Sequence, residues 1–137
     1  IGLCLVGSEM CIRDRITTRD LWVEDPTSAH YNRHLTLNHE PSKLWEKRAQ
    51  MRQNDYPHSL KLFIAHNTEP KPLPGAGSSI FFHIWRSGGT RPTAGCTTMN
   101  EIHLRSVIAG LEPSKNPVYV LLPLQDYRKL KSVWLLP

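Results

Sequence analysis

Long apolar runs are missing. No stretch of the 137 residues approaches 18 consecutive apolar positions, which excludes an ordinary membrane-spanning helix from this chain. Cysteine is scarce, and three thiols cannot build a disulfide framework. Excess charge is modest: a net charge of +5 suits an anionic partner but does not name one. The basic cluster of Arg128, Lys129 and Lys131 lacks interleaved aromatics and any nucleic-acid motif, so it reads as a solvated face and no nucleic-acid partner is expected. Repeats and low-complexity tracts are absent, and no domain boundary is visible. What is present is the profile of a globular chain, 39% hydrophobic and 21% charged. Eight Gly and eleven Pro, mostly beyond residue 40, point to a loop-rich, strand-rich fold rather than a helical bundle.

The first fifteen residues, IGLCLVGSEMCIRDR, stand apart. Residues 5–15 resemble the conceptual translation of a transposase-type sequencing adapter, with Met-Cys-Ile-Arg-Asp as its constant end and Leu-Val-Gly-Ser-Glu before it. Residues 1–15 are therefore expected to be an adapter artefact outside the fold, leaving 16–137 as a partial domain. A signal-peptide remnant is the alternative, but it needs a longer apolar run and a small-residue cleavage site. Cys4 and Cys11 leave with this segment, and Cys96 remains as the one natural thiol. The true N-terminus is then expected to be missing, so the lack of a targeting signal says nothing about compartment.

Along the rest of the chain, residues 20–24 (DLWVE) alternate as a short strand, and 26–38 read as an ordered polar loop. A short helix is predicted within 42–53, with Glu46 near its first turn. Residues 59–66 (SLKLFIAH) are β-like, and 67–79, with three Pro and two Gly, form a long loop. The clearest strand is 80–85 (IFFHIW). The best helix is 100–111: Asn100 is its N-cap, Leu104, Val107, Ile108 and Leu111 fall on one face, Met99 staples onto Leu104, and Pro113 ends it. Residues 118–122 (VYVLL) read as a buried strand, and 126–134 as a short basic, helix-compatible tail. The pattern predicts a mostly β fold of the α+β class with one main helix.

Side chains alternate across a strand, so Ile80, Phe82 and Ile84 are predicted on the core face, and Phe81, His83 and Trp85 on the other. Thirteen residues separate His83 from Cys96, roughly 45 Å if fully extended, but Gly88, Gly89 and Pro92 allow the loop to fold back. Were Cys96 to return beside the strand, about 4.8 Å away, thiol and imidazole could meet. The residue types suit each other, since a neighbouring His takes the thiol proton and stabilises the thiolate that a free Cys rarely forms at neutral pH. Gly95 lets a substrate approach the backbone, and the amides around Cys96 and Thr97 could face a developing oxyanion. By composition alone a lone Cys is more often a small buried hydrophobe, and a lone strand His a core or surface residue.

The stretch GAGSSIFFHIWRSGGTRPTAGCTTMNEIHL, residues 75–104, resembles the catalytic signature of the YkuD-type L,D-transpeptidase family. It holds an aromatic-rich strand carrying His, a Ser/Gly/Thr loop, then Ala-Gly-Cys-Thr and a helix. Upstream, WVEDPTSAHYNR (22–33) is similar to the family's Asp-Asp-Pro…Tyr-Asn segment, and FIAHN (63–67) to the strand before its Gly loop. The resemblance implies an L,D-transpeptidase-like β-sandwich or mixed sheet, a helix after the catalytic Cys, and no cofactor. It implies that Cys96 attacks the carbonyl of a peptidoglycan stem tetrapeptide and expels terminal D-Ala, with His83 as its base. The Ile84 carbonyl would orient the imidazole, and amides at Gly95, Cys96 and Thr97 would form the oxyanion hole. An amine would resolve the thioacyl-enzyme into a cross-link, and carbapenem-type β-lactams would acylate the same thiol. The implied location is the bacterial cell envelope, periplasmic or exported.

The chain departs from the family pattern in Thr93-Ala94-Gly95-Cys96, where many members carry Ser-His-Gly-Cys, and in Thr97-Thr98-Met99, where an Arg is usual. Two rivals stay open: an L,D-carboxypeptidase or other hydrolase with the same dyad, and a wall-binding module without catalysis. For substrate binding, Arg86 and Arg91 are candidates to hold stem-peptide carboxylates, Trp85 and Phe81 to wall the cleft, and Ser87 and Thr93 to bond substrate amides. Solvated charges, satellite packing and turn chemistry explain the same residues without function. His103 could join Cys96 and His83 at a metal, but no further ligand has zinc-type spacing, and no metal site is predicted.

Overall fold

The computed structural model describes residues 3–5, 16–68 and 70–137. Its elements in chain order are β1 (Leu3–Leu5), β2 (Asp20–Trp22), β3 (His34–Thr36), α1 (Leu44–Arg48), β4 (Lys61–Phe63), β5 (Phe81–Ile84), β6 (Thr97–Met99), α2 (Glu101–Gly110), β7 (Val118–Val120) and α3 (Leu124–Leu130). The result is a small α+β fold with short strands. Among the described residues no helix is long and apolar enough to cross a membrane.

A three-stranded sheet in the order β4-β5-β6 organises the chain. β4 runs antiparallel to β5, with Lys61 opposite His83 and Phe63 opposite Phe81. β6 runs parallel to β5, pairing Phe82 with Thr97 and His83 with Thr98. A parallel pair needs a crossover of about a dozen residues. Residues 85–96 supply it as a loop with a single 3-10 turn, Ser87–Gly89, rather than a helix.

Each face of this sheet has its own core. Leu60, Leu62, Ile64, Phe82 and Ile84 cluster on one face with Leu104 of α2. Ile16, Trp22, Met51, Phe63 and Phe81 cluster on the other, with Cys96 packed against them. Burying each large apolar side chain contributes roughly 1.5–3 kcal/mol. The expected helix forms with Asn100 as its cap, the side chain accepting the Ile102 amide hydrogen at 2.8 Å. Leu104 is 0% exposed, and Met99, Ile108 and Leu111 pack around the same cluster.

Several expectations need correction. The predicted loop 26–38 contains β3, which pairs antiparallel with β2. β2 does not alternate, because both of its faces are covered: Leu21, Trp22 and Val23 are all buried. The chain after α1 pairs with the other edge of β2, where the Trp22 amide donates to the Ala49 carbonyl and the Met51 amide to the Asp20 carbonyl. That pairing also explains why the helix predicted within 42–53 stops at Arg48. Residues 118–122 are not a buried strand. Val118 is 49% and Leu121 62% exposed, because β7 pairs antiparallel with Leu3–Leu5 and not with the central sheet. Leu3–Leu5 belongs to the segment set aside as adapter-like, whereas residues 6–15 lie outside the described residues.

Candidate active site

The β5 register delivers Phe81 and His83 to the face opposite Leu104. Cys96 precedes β6 by one residue, so the parallel ladder sets it next to Phe81, one diagonal step from His83 and on the same face. A cleft of about 450 Å³ opens there, and Cys96, His83, Lys61 and His58 all line it. The aromatic rings of Trp22, Phe63 and Phe81 pack beneath, with Trp22 4.3 Å from Phe63 and 5.1 Å from Phe81 between centroids.

His83 is 3% exposed. Its Nδ1 lies 2.7 Å from the Ile84 carbonyl oxygen. A carbonyl only accepts, so Nδ1 carries the hydrogen and Nε2 keeps the lone pair of a base. The expected role of Ile84 as the orienting carbonyl thus has its geometry. Burial pushes the His83 imidazole below its ordinary value. The Ile84 carbonyl opposes that fall, and the charges of Lys61 and Arg86 add to it.

The Cys96 thiol, partly buried, donates to the Ser79 carbonyl at 3.4 Å. Ser79 is held in turn: its amide donates to Asn32 Oδ1 at 3.1 Å. Asn32 is buried and fully used. It also accepts from Trp22 Nε1 at 2.9 Å and donates to the carbonyls of His66 and Asn67, each at 2.9 Å. One amide side chain therefore ties the β2–β3 loop to the long loop that abuts the thiol.

The loop before Cys96 is pinned by Thr93, whose hydroxyl donates to the Cys96 carbonyl at 2.6 Å and accepts from the Gly95 amide at 3.3 Å. Gly95 sits at φ +147°, and a Cβ there would approach Ile80 Cδ1 to 3.3 Å. Both facts bear on the expected oxyanion hole. The Gly95 amide is engaged within its own loop. Thr97 directs its hydroxyl to Tyr119 at 2.8 Å and is not a cleft residue.

Arg86 lines the cleft, but its guanidinium is committed to Asp55, with Nε at 3.0 Å and a terminal nitrogen at 2.7 Å from Oδ2, and to Gln53 at 3.1 Å. It is a structural clamp rather than a free carboxylate anchor. Thr93 lines the cleft, whereas Ser87 and Arg91 do not. Trp85 is the main correction. Its amide donates to the Met99 carbonyl at 3.0 Å, and its ring packs against the opposite, Leu104 cluster. Strict alternation ends with β5 at Ile84. Gly89, at φ +89°, leaves the ring its space, since a Cβ there would meet Trp85 Cε3 at 2.8 Å.

Three residues of the site escaped sequence reasoning. His58 stacks on His83, with centroids 4.4 Å apart and planes at 26°. Asp55 Oδ1 lies 2.6 Å from His58 Nδ1, so that nitrogen donates to the carboxylate. Burial drives His58 down to about 4, although Asp55 pulls the other way, and the ring is neutral at pH 7. Burial raises the Asp55 carboxyl, but Arg86 and His58 outweigh that and hold it below its ordinary value. The signal available was the Asp55-Tyr56-Pro57-His58 spacing, in which Asp caps a Pro-initiated turn and meets a His three residues on. The third residue is Lys61, 5% exposed, the only charge in an otherwise apolar strand. Its signal was the alternation of Leu60, Leu62 and Ile64, which sends Lys61 to the His83 face.

Among the described residues no group of three His, Cys, Asp or Glu side chains is placed to hold a metal ion, and His103 lies exposed on α2. No protein-family model matches the chain, and no match to a curated protein or a solved structure was found.

Proposed function

We propose that the chain is a cysteine acyltransferase of the L,D-transpeptidase kind, acting on peptidoglycan stem peptides in the bacterial cell envelope. One observation carries this reading: Cys96 and a His83 whose Nδ1 is already bonded to a backbone carbonyl line the same cleft, on the same face of the sheet. The residue pattern from 75 to 104 adds the substrate class.

In the reaction, the Cys96 thiol leaves the Ser79 carbonyl and gives its proton to His83 Nε2. The sulfur forms a bond to the carbonyl carbon that precedes terminal D-Ala. Collapse of the tetrahedral intermediate breaks the C–N bond, and the D-Ala nitrogen takes the proton from His83. The thioester is then attacked by an acceptor amine. His83 removes the amine proton, and the sulfur departs with its electron pair and regains that proton. Water in place of the amine gives the carboxypeptidase outcome. The pinned loop 93–96 fixes the nucleophile, and the Gly95 amide serves an oxyanion only by releasing Thr93.

The test is intact-mass measurement after incubation with a carbapenem. Cys96 opens the lactam without losing a fragment, so the mass is expected to rise by the whole inhibitor. Cys96→Ala is expected to abolish the adduct, while Cys4→Ala and Cys11→Ala retain it. An unmodified wild-type chain would favour a wall-binding module. With tetrapeptide, D-Ala release with dimer formation separates the transferase from the hydrolase.

A further inference from the structure

Lys61 has no place in the dyad chemistry, yet it is buried in the site. Its position on β4 faces His83 on β5, and Phe81 on β5 neighbours Cys96 at the start of β6. Lys61 is thus two strands over and two residues along from Cys96, about 12 Å backbone to backbone. The four-carbon stem covers about half of that distance and carries its charge toward Phe81. The ammonium donates to the Met51 carbonyl at 2.7 Å and stands 5.0 Å from the Phe81 ring centroid, over the ring that adjoins the thiol. An ammonium has three hydrogens to donate, and one of them is used by Met51.

The charged groups around it narrow its partner. Asp55, from the turn before β4, is taken by Arg86 and His58. Glu24, beyond β2, also lines the cleft but lies exposed in solvent. Burial, with the Lys61 charge adding to it, lowers both His58 and His83, so neither is an anionic partner for the ammonium, and Arg86 repels it. Cys96 is the remaining group able to become an anion within this cleft.

We infer that Lys61 is a positioning residue whose ammonium faces the Cys96 thiolate and stabilises it once the thiol proton has left for His83. The inference rests on the reading of Cys96 as the nucleophile. The Cys96 S–H bond breaks, the proton goes to His83 Nε2, the electron pair stays on sulfur facing Lys61, and His83 passes the same proton to the departing D-Ala nitrogen. His83 then enters the acyl-transfer half of the cycle as a free base for the acceptor amine. Burial lowers the Lys61 ammonium to about 8, so it is still charged at neutral pH, and of the groups that sustain that charge Cys96 leads, ahead of Asp55 and Glu24.

The test is the rate of iodoacetamide alkylation of Cys96 from pH 5 to 10, in a full chain carrying Cys4→Ala and Cys11→Ala. Lys61→Met is expected to move the inflection up by about one pH unit, slowing alkylation at pH 7 about tenfold. Lys61→Arg is expected to restore the wild-type profile within about twofold, because it returns the charge. Lys61→Gln keeps a donor for the Met51 carbonyl and is expected to behave like Lys61→Met, which protects the test if the methionine variant folds poorly. His83→Ala is expected to move the inflection less than Lys61→Met does. Neutral Lys61 variants whose profiles superimpose on wild type, or a His83→Ala shift as large as theirs, would overturn the inference. Alkylation needs no peptide substrate, so it reads the thiolate whether or not a carbapenem acylates the protein.

Discussion

The two faces of the β4-β5-β6 sheet are drawn from the same few residues and could hardly differ more. One takes Leu60, Leu62, Ile64, Phe82 and Ile84 and closes them under Leu104. The other takes Lys61, His83 and, from the strand alongside, Cys96, and leaves them beside an open cleft. The period of two sets Leu62, Ile64, Phe82 and Ile84 on one face and Lys61, Phe63, Phe81 and His83 on the other, so only the second mixes polar groups with its apolar cluster. The Leu104 face packs β4 and β5 together from one side, and Lys61 and His83 are buried on the other. Shifting the register by one residue would exchange the faces and destroy both.

The contrast can be broken from either side. The largest effect is expected on the cleft face. His83→Ala should lower the carbapenem acylation rate by about 10²–10⁴-fold, while its melting temperature falls less than that of the core variant below. In the wild type the same rate should decline with acid only below the ordinary imidazole range, because His83 must be neutral to accept a proton and burial lowers its value. On the apolar face, Leu104→Ala should destabilise by about 2–5 kcal/mol in denaturant titration. Cys96 should keep its alkylation profile under conditions where that variant remains folded. A matching loss of thiol reactivity would show that the faces are not separable.

The smallest effect concerns the one charge that crosses between the two roles. Lys61 gives up its proton at about 8 when folded and at its ordinary 10.5 when unfolded. Between those values the unfolded chain binds more protons, so stability should rise with pH across that window. Below about 8 the buried ammonium opposes folding in full. Lys61→Met should flatten this part of the stability curve, measured as the denaturant midpoint at pH 7 and at pH 10.

Local signals were strongest where a residue acts on its own neighbourhood. The Asn100 cap and the spacing of Leu104, Ile108 and Leu111 marked α2 almost to the residue, although Val107, expected on the same face, is exposed, and the strand expected over 80–85 forms over Phe81–Ile84. The His83 face followed from alternation alone. Trp85 misled because alternation was carried one residue past the strand. Asp55 and His58 went unseen because their meeting with His83 is a contact between a turn and a strand far along the chain. β3 and the exposed β7 were misjudged for a related reason: strand pairing and burial depend on partners that a window of ten residues does not contain.

By itself the sequence determined which side chains share a face, where α2 begins, and that a thiol and an imidazole lie thirteen residues apart across a loop able to turn. These follow from backbone geometry, which repeats every two or 3.6 residues. Only the tertiary structure decided that β6 returns parallel to β5, that Arg86 is spent on Asp55, that Asn32 joins two loops behind the thiol, and that a lysine is buried on the face that carries His83. Those outcomes depend on desolvation and on hydrogen bonds between distant segments, and neither quantity exists until the chain has closed on itself.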